Sequence, residues 1–360
     1  MKRRDFWKSI GLGSAALAPF PSSSHALARP SQDHEKSRRR GRAAFRFVCF
    51  ASLIFALFMC PGRIQAIDIS GNISSTLTIF DNSELVGDVN CTAALLKAPC
   101  IVFGADHIEL SLNGHTITGP VNPPTNCSLP TDSTFGVGIE VNAKEHVEIE
   151  GPGVIQKFQR WGILLLSSTQ VTLKRVTVNR NCWSGVQTEA LSESTFKDDA
   201  FVNNAAGSNG APCGGICVSD SKGNTIRKCS FHGNGSVDNP DGNVDFGIGF
   251  EGSSTENLVE ESDFGGNVNG VLVFPEADDN VVHDNIITGN PPAQVQKTFA
   301  SVPAASGADI HDLHTSPSTN TFDDNFCLTY IGPGIPPCPN IPKRERDRDE
   351  SRERGTERHE

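Results

Sequence analysis

A single tyrosine and three tryptophans serve a chain of 360 residues. So few polar-edged rings leave little ready-made surface for stacking sugars or bases. The two methionines are Met1 and Met59, so nothing beyond residue 59 offers a thioether to a soft metal such as copper. No apolar stretch approaches the ~20 residues of a membrane-spanning helix; the longest, Phe47–Cys60, has 14. No P-loop, His-Glu-x-x-His or Gly-x-Ser-x-Gly motif occurs. Positive charge is scarce in the middle of the chain, where residues 67–341 hold 12 Lys and Arg against 32 Asp and Glu. So acidic a stretch is a poor partner for nucleic acid or an anionic membrane surface. It also counts against a polyuronate, unless bound cations bridge the charges.

What the chain does have is a repeat. Gly-aliphatic pairs open successive lines at Gly162-Ile163, Gly185-Val186, Gly215-Ile216, Gly247-Ile248 and Gly270-Val271. Each line closes on an apolar residue, two spacers and an Asn, from Val178 and Asn181 through Phe201 and Asn204, Phe231 and Asn234, Phe264 and Asn267, to Ile287 and Asn290. Ten residues before each Asn stand Val171, Ser194, Asn224, Asn257 and Asn280; eight before it stand Leu173, Phe196, Ile226, Val259 and Val282. Successive openings are 23, 30, 32 and 23 residues apart, and Gly138-Ile139 opens a line 24 residues before Gly162.

Period-2 alternation on either side of a turn means short strands with one face inward. A unit this short cannot bury its apolar face alone, so the units must stack. Twenty-three residues suit three short strands and three turns, one coil of a single-stranded parallel β-helix with coils about 4.8 Å apart. The expected fold is therefore all-β, a solenoid of roughly 8–10 coils. Phe201, Phe231 and Phe264 would stack inside. Asn181, Asn204, Asn234, Asn267 and Asn290 would form an amide ladder along one turn, where Asn also tolerates left-handed backbone.

This pattern resembles the right-handed parallel β-helix repeat proteins of the pectate-lyase-like superfamily, and within it the secreted NosD-like repeat group, over roughly residues 67–330. The resemblance implies a right-handed β-helix; a NosD-like protein would serve periplasmic copper-site maturation. It implies activity only weakly, because one fold hosts many functions. Sugar-cleaving relatives use acidic pairs, or a basic residue with calcium. Pectin-hydrolase-like members carry Asn-Thr-Asp, Asp-Asp and Gly-His-Gly in that order. Here Asn239-Pro240-Asp241 and His232-Gly233 stand in the wrong order, and the epimerase-like Asp-Pro-His is absent.

Residues 1–66 read as an export region. The segment from Lys2 to Lys8 resembles a twin-arginine signal, departing from it at Lys2 and Trp7, and Ala26-Leu27-Ala28 follows as a candidate cleavage site. A second set runs from the basic Arg38–Arg42 through Phe47–Cys60 to Ile64-Gln65-Ala66. Fourteen apolar residues suit a signal core better than a membrane span, a short anchor being the alternative. The mature chain is expected to start near Ile67, to have no membrane span, and to work in the periplasm, at the cell surface or outside the cell. Residues 67–341 form the expected β-helix domain, and 342–360 a disordered charged tail. Exported cysteines are read as disulfides. Cys91 and Cys100 bracket a short loop, Cys327 and Cys338 close the C-terminal end, and Cys182 with Cys213 would cross-link adjacent coils. Cys127, Cys217 and Cys229 are left over; Cys213-x-x-x-Cys217 with His232 is a weaker, metal-binding alternative.

Two neighbouring coils are long, and their extra residues fall in one turn, 205–214 and 235–246. Adjacent insertions project from one face, often the binding face. That face would hold Asp238, Asp241, Asn243, Asp245 and His232. Asp241-x-Asn243-x-Asp245 alternates oxygen ligands as calcium loops do, which makes calcium the one candidate cofactor; a polar turn is the plainer reading. On the outward face of the Gly-led strand, Glu140, Gln187, Glu189 and Glu251 align. Glu189 and Glu251 fall two coils apart, about 9.6 Å, near the upper end for inverting carboxylate pairs. With Asp241 they are the candidate acids of a polysaccharide lyase or glycoside hydrolase. Trp161 and Trp183 share a corner, either as a sugar platform or as packing over the coil edge. The expected partner is a polysaccharide or cell-surface glycan; a non-enzymatic adhesive solenoid is the alternative class.

Overall fold

The computed structural model describes residues 66–123, 127, 136–205, 214–235, 245–290, 308–333 and 338. The export-like segments, the charged tail, Cys213, Asp238, Asp241 and Asn243 lie outside the described residues. The Gly-led lines pair in parallel into a ten-stranded sheet running from Leu77–Ile79 to Tyr330–Ile331. One strand per coil makes ten coils, the upper end of the expectation. The remaining strands of each coil join a sixteen-stranded sheet. Register is kept from coil to coil: Ile163, Val186, Ile216, Ile248, Val271 and Ile310 pair in one inward column. Phe201, Phe231 and Phe264 stack inside, with ring centroids 5.0 and 4.5 Å apart. Among the described residues no helix is long and apolar enough to cross a membrane.

The amide ladder forms and has a direction. Asn204 donates its N–H and its Nδ2–H to Asn234 Oδ1 at 3.0 and 3.1 Å. Asn234 does the same to Asn267 Oδ1 at 3.0 and 2.9 Å, and its Nδ2 also donates to the Phe201 carbonyl at 2.8 Å. The chain of side-chain amide donors ends on Asp309, whose backbone N–H donates to Thr329 Oγ1 of the next coil at 2.8 Å. That carboxylate accepts from Asn290 N and Nδ2 and from the Leu328 and Thr329 amides. A side-chain amide can both donate and accept; a carboxylate only accepts, so the side-chain donors stop there and only the backbone N–H passes on.

A second ladder follows the expected ten-residue offset, from Ser194 through Asn224, Asn257 and Asn280 to Asn320. A third was not visible in the sequence pattern. It runs through Asp199, Cys229, Ser262, Asn285 and Asn325, each accepting a backbone N–H at the remaining corner or passing one to the next coil. The residues just before it, Arg175, Asp198, Lys228, Glu261, Asp284 and Asp324, are all left-handed, with φ between 50° and 58°. Left-handed backbone is unfavourable for residues with a Cβ; here the buried corner hydrogen bonds offset it.

Cys91–Cys100 and Cys327–Cys338 pair as expected. The third expectation is corrected: Cys182 pairs with Cys127, not with Cys213. The coil corner at Cys182 faces Cys127, and a Cα separation of 5.5 Å lies within bridging reach. Cys217 and Cys229 are buried thiols.

Candidate functional site

The coil-to-coil register sets two outward rows on the ten-stranded sheet. One carries Val102, Glu140, Leu164, Gln187, Cys217, Gly249, Leu272 and His311. The other carries Asn142, Leu166, Glu189, Ser219 and Glu251; Phe80 and Gly104 extend it at the N-terminal end and Phe274 at the C-terminal end. Glu189 and Glu251 therefore share a row with Ser219 between them, two coils apart. Glu140 and Gln187 sit in the neighbouring row. The alternation that buries Ile163 or Val186 is what turns these side chains outward.

Exposure divides the face. Glu140 and Glu189 are half-buried, and Asn142 is exposed. Burial pushes the Glu189 carboxyl above the usual carboxylate range, and the nearby Asp220 charge adds to it. Burial also raises Glu140, against a hydrogen bond from Asn142. Glu251, by contrast, is only 6% exposed. Around it Cys217, Phe246, Leu272 and Phe274 form a second apolar cluster, separate from the core inside the coils. His311 is also buried there, its Nδ1 3.2 Å from Asn269 Oδ1. Burial lowers the imidazole pKa, with Asp312 pulling the other way. Sequence reasoning missed His311 because Asp309-Ile310 replaces the Gly-aliphatic opening of its coil.

Of the other expected site residues, the two tryptophans are brought together, while His232 and Asp245 lie apart from the outward rows. Trp161 and Trp183 meet edge to face at 5.9 Å and are each 4% exposed. The Arg160 guanidinium lies over both rings, 4.4 Å from the Trp183 centroid and 5.6 Å from that of Trp161. This is packing over the coil edge rather than an open sugar platform. His232 lies on the sixteen-stranded sheet, its Nε2 2.5 Å from Asp263 Oδ2 of the next coil. Asp245 is fully buried at the start of the strand Phe246–Glu251, and its carbonyl accepts from Asn269 N and Nδ2. Its partners in the calcium reading, Asp241 and Asn243, lie outside the described residues. Among the described residues no three His, Cys, Asp or Glu side chains gather as a metal site.

A further polar cluster sits at the last corner. Asp312 Oδ1 lies 2.5 Å from His314 Nδ1, and Ser318 Oγ donates to Asp312 Oδ2 at 2.9 Å. The serine touches the carboxylate and not the imidazole, so the three do not form a nucleophile and base. They clamp the corner, with His314 Nε2 3.6 Å from Asp278 Oδ1.

The family model described as right handed beta helix region matches residues 137–332. No curated protein matches the chain in sequence. Among solved structures it is similar to the Dettilon tailspike protein, with a TM-score of 0.52 and 15% identity over 73% of this chain and 55% of that one. It is also similar to an alginate lyase from a Paenibacillus species, with a TM-score of 0.46 and 15% identity over 69% and 86%. A third similarity is to the A-module of the Azotobacter vinelandii mannuronan C-5 epimerase, at 0.36 and 12% over 72% and 76%. The chain thus spans 55% of the tailspike's length, and likeness at such identity concerns the fold alone. With parallel coils, outward rows and a family model matching more than half its length, the chain belongs to the right-handed β-helix region family.

Proposed function

We propose that the outer face of the ten-stranded sheet binds an extended polysaccharide and that Glu189 is its proton donor. The observation that carries this reading is the position of Glu189. It stands in the middle of the face, half-buried, with a carboxyl held above the usual range by burial and by Asp220. Such a carboxyl keeps its proton at a higher pH than a free one. It can hand that proton to the leaving glycosidic oxygen as water adds to the anomeric carbon and gives up a proton to solvent. A face that repeats every ~4.8 Å suits a linear repeating polymer better than a compact ligand. The three disulfides favour a chain that folds outside the cytoplasm.

The burial of Glu251 favours a second reading, binding without bond cleavage, because the other carboxylate of the row is closed off. Reducing-end and unsaturated-product release over a glycan panel decides between them. Under the first reading Glu189→Gln binds glycan as the wild type does and releases no product. A wild type that binds and releases nothing assigns the second reading. A wild type that neither binds nor cleaves any glycan ends both.

A further inference from the structure

Polysaccharide binding on this face leaves open the class of polymer and the position of its outlying sugars. Charge bears on the first question. No strand of the ten-stranded sheet carries a Lys or Arg, from Leu77–Ile79 to Tyr330–Ile331. Its outward rows carry Glu140, Glu189 and Glu251 instead. An extended chain of uronates would lay a carboxylate against these rows at nearly every coil with no cation on the strands to meet it. Hydroxyls on a neutral chain meet no such repulsion and find acceptors in Glu140 and Asn142.

Phe80 bears on the second question. It ends the row of Glu189 and Glu251 on the N-terminal side and is 60% exposed. Its ring rests against the Gly104 backbone of the next coil. A Cβ at residue 104 would come within 2.5 and 2.7 Å of the ring carbons Cε1 and Cδ1. Gly104 is not among the left-handed glycines. What the missing side chain permits is therefore the approach of the ring to the sheet. The ring and Thr78 Cγ2 both occupy the space that a Cβ on residue 104 would take, and the ring's other side is open to solvent. Such a ring offers one broad apolar surface at little entropic cost, matched to the C–H face of a pyranose.

Resting on the polysaccharide-binding reading of this face, we propose that the polymer is neutral and lies along its N-terminal half. One sugar stacks on Phe80, four coils or about 19 Å from Glu189. Glu140 and Asn142 hydrogen-bond the hydroxyls in between.

The test uses the full chain in native affinity gels and calorimetric titration at low salt. The probes are a soluble neutral glucan and a galactomannan, with alginate and polygalacturonate as anionic counterparts. The expected result is retention by a neutral polymer and none by the uronates. Phe80→Ala should weaken neutral-glycan affinity about five- to tenfold, in line with a stacking contact, while Phe80→Trp holds the wild-type value. Because the ring is exposed, the Ala variant keeps the wild-type melting curve. Retention by the uronates alone overturns the polymer class and leaves the glycan-binding reading standing. Wild-type affinity in Phe80→Ala overturns the stacking site. The same affinity with a loss of self-association in gel filtration overturns it too and assigns the ring to contact between copies. Retention by no glycan overturns both readings.

Discussion

On one sheet face, the N-terminal coils present Phe80 at 60% exposure with half-buried Glu140 and Glu189, while the C-terminal coils bury Cys217, Leu272 and Phe274 at 3% or less. Backbone, register and row are the same in both halves. What changes is the chemistry of the outward side chains and what lies over them. A β-helix face is therefore not a site by virtue of its geometry; it becomes one only where polar groups stay within reach of solvent. The closed half behaves as a second core, and the open half is the part to which the proposed binding is assigned.

The contrast predicts opposite responses to substitution. Leu272→Ala, in the closed half, should destabilise the protein by about 2–5 kcal/mol, as removal of a packed leucine does. Urea unfolding measures it; a loss below about 0.5 kcal/mol would mean that the closed half is loosely covered and the contrast fails. Asn234→Ala lies beneath both halves, in the ladder they share. It leaves the Asn204 donors without Asn234 Oδ1 and the Phe201 carbonyl without Asn234 Nδ2, at about 1–3 kcal/mol for each buried group, while Asn267 Oδ1 keeps the backbone N–H of residue 234. Because coils touch only their neighbours, the damage should stay local and appear as lost amide protection around residues 201–205 and 264–268. Thermal unfolding beside exposed Glu276→Ala is the control. Equal melting of the two would place Asn234 on the surface and undo the register.

Asp199→Asn should stabilise the protein at neutral pH by about 1 kcal/mol. The buried Asp199 carboxyl is raised well above its ordinary value of 3.8, chiefly by desolvation. A carboxyl raised in the folded state favours folding at low pH, and that contribution is lost as pH rises from 3.8 through the folded value. The amide escapes this loss. Its Oδ1 keeps the Val176 N–H, and its Nδ2 exchanges the bond that Asp199 Oδ2 accepts from Lys197 N for one donated to the Lys197 carbonyl, as Asn285 Nδ2 does to His283 O two residues back. A variant whose stability falls with pH as the wild type's does would exclude Asp199 as the titrating group. Glu189→Gln, in the open half, has the smallest effect on stability, within about 0.5 kcal/mol. Its sign is the same, because the Glu189 carboxyl is also raised above 4.5 and disfavours folding once ionised. Its effect should appear in product release, where the high-pH limb of the rate profile reports loss of the Glu189 proton. A limb unchanged in Glu189→Gln would move the acid elsewhere.

Most of the architecture was legible because it repeats. Phe201, Phe231 and Phe264 stand in one register, and identical spacing must become identical position once coils stack at a fixed rise. The alignment of Glu189 with Glu251 followed from the same rule. The third ladder escaped because Asp199, Cys229, Ser262 and Asn285 share a role without sharing a residue type. Each needs only an acceptor or donor at the corner, and four chemistries provide it. The Cys127–Cys182 bridge escaped because its partners lie 55 residues apart, one of them in a segment outside the repeat.

The sequence by itself determined the solenoid, its coil length, its inward stacks and which side chains face outward. These depend on local alternation and on periods of 23–32 residues, both written along the chain. Only the tertiary structure decided which members of a row meet solvent. Glu189 and Glu251 occupy equivalent places, yet one is half-buried and the other buried. Trp161 and Trp183 share the expected corner, yet Arg160 lies over their rings. Exposure depends on what packs over a position from elsewhere in the chain, and no periodicity encodes that.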